Sequence, residues 1–84
     1  MDVIEAKQHA IEVIDGCSDL LLEVSHSIHS HPEENYAEHH AHDVLTAALE
    51  SQGLEVQRGA YGLPTAFEAS AGIAGPEIAV FCEY

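Results

Sequence analysis

Ile28-His29-Ser30-His31-Pro32-Glu33-Glu34-Asn35-Tyr36-Ala37-Glu38-His39-His40-Ala41-His42 separates two amphipathic segments and holds five of the seven histidines of this 84-residue chain. Pro32 disfavours helical backbone at His31, so a helix arriving from the N-terminal side ends near Ser30. On that side, Ile4, Ile11, Ile14, Leu21, Val24 and Ile28 fall at spacings that hold one stripe of a helix. The phase survives Gly16, so the pattern predicts one long helix over about 2–30, bent at the glycine, with Asp2 as its N-cap. On the other side, Asn35 followed three residues later by Glu38 has capping-box form. Ala41, Val44, Leu45, Ala48 and Leu49 then mark a second helix over about 36–52, ended by Gly53.

After Gly53 the hydrophobic period changes from helical to alternating. Leu54-Glu55-Val56-Gln57-Arg58 reads as a half-buried strand (54–58), and Thr65 to Ser70 as a second strand (65–70). Turns rich in glycine and proline flank the second strand. Ile78-Ala79-Val80-Phe81-Cys82 is apolar throughout, the pattern of a strand covered on both faces, and predicts a third strand over about 77–83. Two helices followed by three strands make an α/β chain. A strand apolar on both faces needs a layer above and a layer below, and these helices supply one. The expectation is an incomplete fold.

Eighty-four residues allow one domain at most. No apolar run approaches the roughly 18–20 residues that span a bilayer. The first residues show neither a basic nor an apolar signal region, which points to the cytoplasm. Fifteen carboxylates against Lys7 and Arg58 give a formal charge of −13. Such a surface repels phosphate, which argues against nucleic acid and against an anionic membrane as partners. Cys17 and Cys82 are too few and too far apart for a zinc ribbon or a disulfide framework.

The histidines invite a metal reading. His26 with His29, and His39 with His42, have the i, i+3 spacing that sets two imidazoles on one helix face. That gives one functional alternative: a stand-alone acidic, histidine-rich metal-binding protein. The segment lacks the H-E-x-x-H order of a helical zinc protease. The other reading is that these histidines cap helices, line the helix-to-helix junction and face solvent. The glycines do not form a phosphate-binding G-x-G-x-x-G, and the serines near histidines lack the strand-to-helix elbow of a catalytic serine. Glu83 follows the most core-like strand, at the end where open α/β sheets form ligand crevices.

His29-Ser30-His31-Pro32-Glu33, the later Glu38-His39-His40-Ala41-His42 and the Gly53-Leu54-Glu55-Val56 strand entry together resemble the opening of the M20 family of zinc peptidases and amidohydrolases. Gly62-Leu63-Pro64-Thr65-Ala66-Phe67 and Phe81-Cys82-Glu83-Tyr84 are similar to one branch of it, which contains the B-subunit proteins of aminobenzoyl-glutamate utilisation and peptidase M20 domain-containing protein 2. The resemblance runs from about residue 4 to residue 84. It implies that the chain is the N-terminal part of a three-layer αβα, zinc-exopeptidase-like catalytic domain. A later strand would enter between the second and third strands, and a lid or dimerisation domain would follow.

For the parent enzyme, the resemblance implies hydrolysis of amide bonds in N-acyl amino acids, dipeptides or aminobenzoyl-glutamate-like small molecules. Two divalent ions, zinc or manganese, would activate a bridging water with a glutamate as general base. A homodimer is the expected assembly. In this branch the ligand motifs follow Glu-Tyr, so the resemblance places no catalytic and no metal-binding residue in these 84. It implies a structural role for His29, His31, Pro32 and Glu33, and a position near the active-site edge for Glu83 and Tyr84. The chain alone is then expected to be inactive.

Overall fold

The computed structural model describes residues 2–83. In chain order the elements are α1 (Val3–Gly16), α2 (Ser18–His29), α3 (His39–Ser51), β1 (Glu55–Arg58), a short 3-10 turn (Ala60–Gly62) and β2 (Phe67–Ser70). The architecture is mixed α/β: three helices, then a two-stranded antiparallel sheet.

The single helix expected over 2–30 is two helices. Asp2 caps α1 by accepting from the Glu5 N–H at 2.8 Å. The break comes at Cys17, one residue after Gly16, where φ is −99° and ψ is 6°. Leu21 N–H still donates to the Cys17 carbonyl at 2.9 Å, so α2 starts with almost no gap. Helical phase therefore carries across the interruption. The glycine lowers the cost of a bend that the stripe alone could not reveal.

α3 is the central element, packing on α2 along one side and on β1 and β2 along the other. A groove between α2 and α3 is lined by Leu20 and Val24 on α2 and by Val44, Ala47 and Ala48 on α3. The sheet side of α3 carries His42, whose ring meets Phe67 of β2 edge-on at 5.9 Å. Thr46 has no exposed surface, and its hydroxyl donates to the His42 carbonyl at 2.7 Å. That local bond lets a polar side chain sit inside without a distant partner. α3 ends in a Schellman motif: Leu54 N–H donates to the Leu49 carbonyl, Gly53 N–H to that of Glu50, and Gly53 has φ +86°.

In the sheet, Glu55 pairs with Ser70, Val56 with Ala69, Gln57 with Glu68 and Arg58 with Phe67. Val56, Phe67 and Ala69 are half-buried, while Glu55, Gln57, Glu68 and Ser70 are exposed. This is the one-sided burial that alternation produces. Arg58 reaches back from β1 to grip both carboxylate oxygens of Glu50 on α3.

The third strand expected over 77–83 does not form among the described residues, and this corrects the sequence reading. Ile78, Val80 and Phe81 are 85%, 81% and 94% exposed. An apolar run marks a strand that wants covering, but a ladder needs a neighbour with free N–H and C=O groups. Among the described residues none is paired with this segment. α1 is similarly uncovered: it contributes no buried residue, and Ile4, Ile11 and Ile14 are mostly exposed. The radius of gyration is 14.7 Å, against about 12 Å for a compact chain of this length. The accessible surface is 7010 Å², against about 4900 Å² for a compact protein of this mass.

Candidate functional site

The densest polar geometry lies where α2 hands over to α3. Pro32 stops the first helix and the chain turns through Glu33 to Ala37, with Tyr36 at φ +66°. The expected Asn35 cap is not used. α3 starts at His39, and Glu38 occupies the N-cap position without capping through its side chain. Glu33 does the capping instead. One of its carboxylate oxygens accepts from the His40 N–H at 2.8 Å and the other from the Ala41 N–H at 3.0 Å. These two backbone donors hold the Glu33 carboxyl below the ordinary carboxylate range, and the nearby imidazoles of His40 and His39 add to the effect. The negative charge also faces the positive end of the α3 dipole.

Glu38 ties the same turn together from below. Its carboxylate accepts from the Tyr36 N–H and, at 2.9 Å, from the Thr65 hydroxyl, which anchors the connection to the loop before β2. His31 stacks on His40 with ring centroids 3.9 Å apart and planes 22° off parallel. His31 Nδ1 lies 2.8 Å from the Ser27 carbonyl, which can only accept, so that nitrogen carries the proton. Ser27 Oγ lies 2.8 Å from His40 Nε2. Ser27 thus touches both rings, one through its backbone and one through its side chain. A cavity of about 190 Å³ lies beside this cluster, lined by Ile28, His31, Pro32, Glu33 and Glu38 among others.

No family model and no solved structure matches the chain. Curated proteins do. It is 36% identical to the Xaa-Arg dipeptidase of Mus musculus, over 93% of this chain and 20% of that protein. It is 39% identical to the B subunit of p-aminobenzoyl-glutamate hydrolase from Escherichia coli, over 87% of this chain and 15% of that one. With the thermostable carboxypeptidase 1 of Saccharolobus solfataricus it shares 32% identity, over 79% of this chain and 16% of that protein. All three are peptidases or hydrolases of the M20 type. Over most of its length the chain is similar to members of the M20 family. It spans a fifth or less of the length of these M20 relatives.

Within this M20-like chain the signature residues divide by role. His31 and Glu33 are engaged in the junction, and Pro32 ends α2 and lines the cavity. His29, at the end of α2, is exposed and joins none of these contacts. The histidines of the metal-binding alternative do not meet. His26 and His29 are exposed on α2 and His39 is exposed at the start of α3, whereas His42 is 7% exposed on the sheet side of α3, with Nδ1 3.2 Å from Asp43. Among the described residues, no three His, Cys, Asp or Glu side chains converge as a metal site would require. Glu83 is exposed, and Tyr84 lies outside the described residues. Among the described residues, no helix is long and apolar enough to cross a membrane.

Sequence reasoning missed Ser27, His40 and Thr65 as members of the junction. Ser27 and His31 are four residues apart, the spacing that brings side chains together on one helix, and that signal was available. His40 and Thr65 carried none, because their partners come from other elements.

Proposed function

We propose that this chain is part of the catalytic domain of a metal-dependent M20 amidohydrolase that cleaves amide bonds in N-acyl amino acids, dipeptides or aminobenzoyl-glutamate-like compounds. The reading rests on one observation: relatives named as a dipeptidase, part of an aminobenzoyl-glutamate hydrolase and a carboxypeptidase each match at least 79% of the chain. Their shared chemistry is hydrolysis of an amide bond. In the enzyme, two zinc or manganese ions would supply the activated water. The residues of these 84 supply scaffold, with His31, Pro32 and Glu33 fastening α2 to α3. The enzyme works in the cytoplasm as a homodimer on small molecules, and the isolated chain is inert.

Two experiments test this. The purified chain, supplied with zinc or manganese, is assayed on an N-acetyl amino acid, a dipeptide and p-aminobenzoyl-glutamate, and no turnover is expected. The chain is then substituted for the matching segment of the E. coli hydrolase. A folded chimera that cleaves p-aminobenzoyl-glutamate supports the assignment. A chimera with native helix content and no activity, beside an active parent, overturns it.

A further inference from the structure

Two apolar surfaces of the chain lie open and match each other. One is the α1 stripe, where Ile4, Ile11 and Ile14 are 80%, 53% and 59% exposed. The other is the groove of about 320 Å³ between α2 and α3, walled by Leu20 and Val24 on one side and by Val44, Ala47 and Ala48 on the other. Its two alanines leave room for a third helix to approach closely. Ile4 and Ile11 are seven residues apart, as are Leu20 and Ser27 along the groove, so both features run for two helical turns, about 10 Å. Lys7 lies between the two isoleucines on the same stripe and takes part in neither of the ion pairs among the described residues. Glu23 lies midway along the groove. With α1 laid antiparallel, Ile11 over Leu20 and Ile4 over Ser27, Lys7 comes beside Glu23.

α1 cannot reach the groove of its own chain. Only Cys17 separates it from α2, and Cys17 is bonded into both. Its N–H donates to the Val13 and Ile14 carbonyls, and its carbonyl accepts from the Leu21 N–H. Reversing one helix onto another takes a connection of about two residues or more. An antiparallel second copy meets no such limit. In this register the twofold axis passes between Asp15 and Gly16, and the open space around Gly16 lets two backbones approach there. Each copy then fills the groove of the other. The area suffices. The chain carries 7010 Å² of accessible surface, about 2100 Å² more than a compact protein of its mass, and a stable interface takes about 800 Å² from each partner. The formal charge of −13 on each copy opposes the approach, so salt strengthens association by screening.

We propose that a second copy of this chain occupies the α2–α3 groove, the two copies exchanging α1 helices in a closed twofold dimer. This contact is independent of the hydrolytic chemistry proposed for the enzyme.

The test is sedimentation equilibrium of the full chain at up to about 1 mM, at low salt and at about 1 M salt, where the Debye length falls to about 3 Å. Expected is a monomer–dimer equilibrium that shifts toward twice 9.0 kDa as salt rises. Ile11→Asp spoils α1 and Ala47→Arg blocks the groove. Both positions are exposed in the single chain, so each variant should keep wild-type helix content and sediment as a monomer. Mixed, the two variants should recover a heterodimer, because the intact α1 of Ala47→Arg seats in the intact groove of Ile11→Asp. A wild-type chain that stays at monomer mass in high salt overturns the proposal whatever the variants do, and so does growth into assemblies larger than a dimer. Failure of the mixed, folded variants to associate overturns it as well. So does a dimer kept in Ile11→Asp and lost in Phe81→Asp, which would move the contact to the run from Ile78 to Cys82.

Discussion

The sharpest physical expectation concerns heat and denaturant unfolding of the chain. Fully extended, a 9.0 kDa chain exposes about 13,000 Å². The folded chain retains 7010 Å², so folding removes about 6000 Å². A compact protein of the same mass would remove about 8100 Å². Heat capacity change tracks the surface exposed on unfolding, and 84 residues ordinarily give about 1.0–1.3 kcal/mol/K. Scaling by roughly three quarters gives about 0.8 kcal/mol/K. The shortfall is weighted toward apolar surface, because Ile4, Ile78, Val80 and Phe81 are each at least 80% exposed. Exposed apolar area is the part that raises heat capacity, so about 0.8 kcal/mol/K is an upper figure. We expect scanning calorimetry to show a broad, shallow transition, with a urea slope reduced by the same fraction. A sharp two-state transition, with calorimetric and van't Hoff enthalpies equal and a heat capacity change of about 1.2 kcal/mol/K or more, would refute an uncovered surface of this size.

Two expectations follow for single residues. Glu33→Gln should speed exchange of the His40 and Ala41 amides relative to those later in α3. Because the folded-state carboxyl is held below its unfolded value by these same N–H groups, its stabilising effect is present above the ordinary glutamate range. It is lost as pH falls through the folded value. Protection of the two amides in the wild type should therefore fall in acid, and in Glu33→Gln that acid dependence should be absent. Thr46 has no exposed surface, and its hydroxyl is held by the His42 carbonyl at 2.7 Å. Thr46→Leu should lower stability by about 1–3 kcal/mol through overpacking, read as a lower urea midpoint, whereas Thr46→Ser should be milder.

What the sequence disclosed, and what it hid, follows the range of the forces involved. α3 was legible because its stripe, its glycine stop and the switch to period two beyond it are all local signals. β1 and β2 were legible for the same reason, apart from their ends. The division of α1 from α2 at Cys17 was not, because a bend of one residue leaves hydrophobic phase unchanged. The apolar run from Ile78 to Cys82 was overread: it records what a segment would bury, while pairing depends on a partner elsewhere in space. The burial of His42 and Thr46 was also hidden. Both fall outside the apolar stripe of α3, and become interior only because the sheet covers a second side of that helix.

The junction shows why a motif that looks like metal chemistry can be satisfied by backbone chemistry. Proline must follow the helix closely, since it restricts the residue before it and forces the chain out of α2. A carboxylate next to that proline sits at the start of the return path. Glu33 is long enough to reach two N–H groups seven and eight residues ahead, at His40 and Ala41. Asn35, nearer in sequence, is bypassed because the chain between it and α3 turns through a positive φ at Tyr36. That turn is held by Glu38, which commits its carboxylate to Tyr36 and Thr65. The histidine before the proline completes the joint by donating back to Ser27, one turn earlier, and laying its ring on His40. Each residue of His31-Pro32-Glu33 thus has a mechanical requirement that fixes its place in the order. None of these requirements calls on an ion, and the same three residues would serve as a joint in any chain that must turn sharply between two helices over this connection.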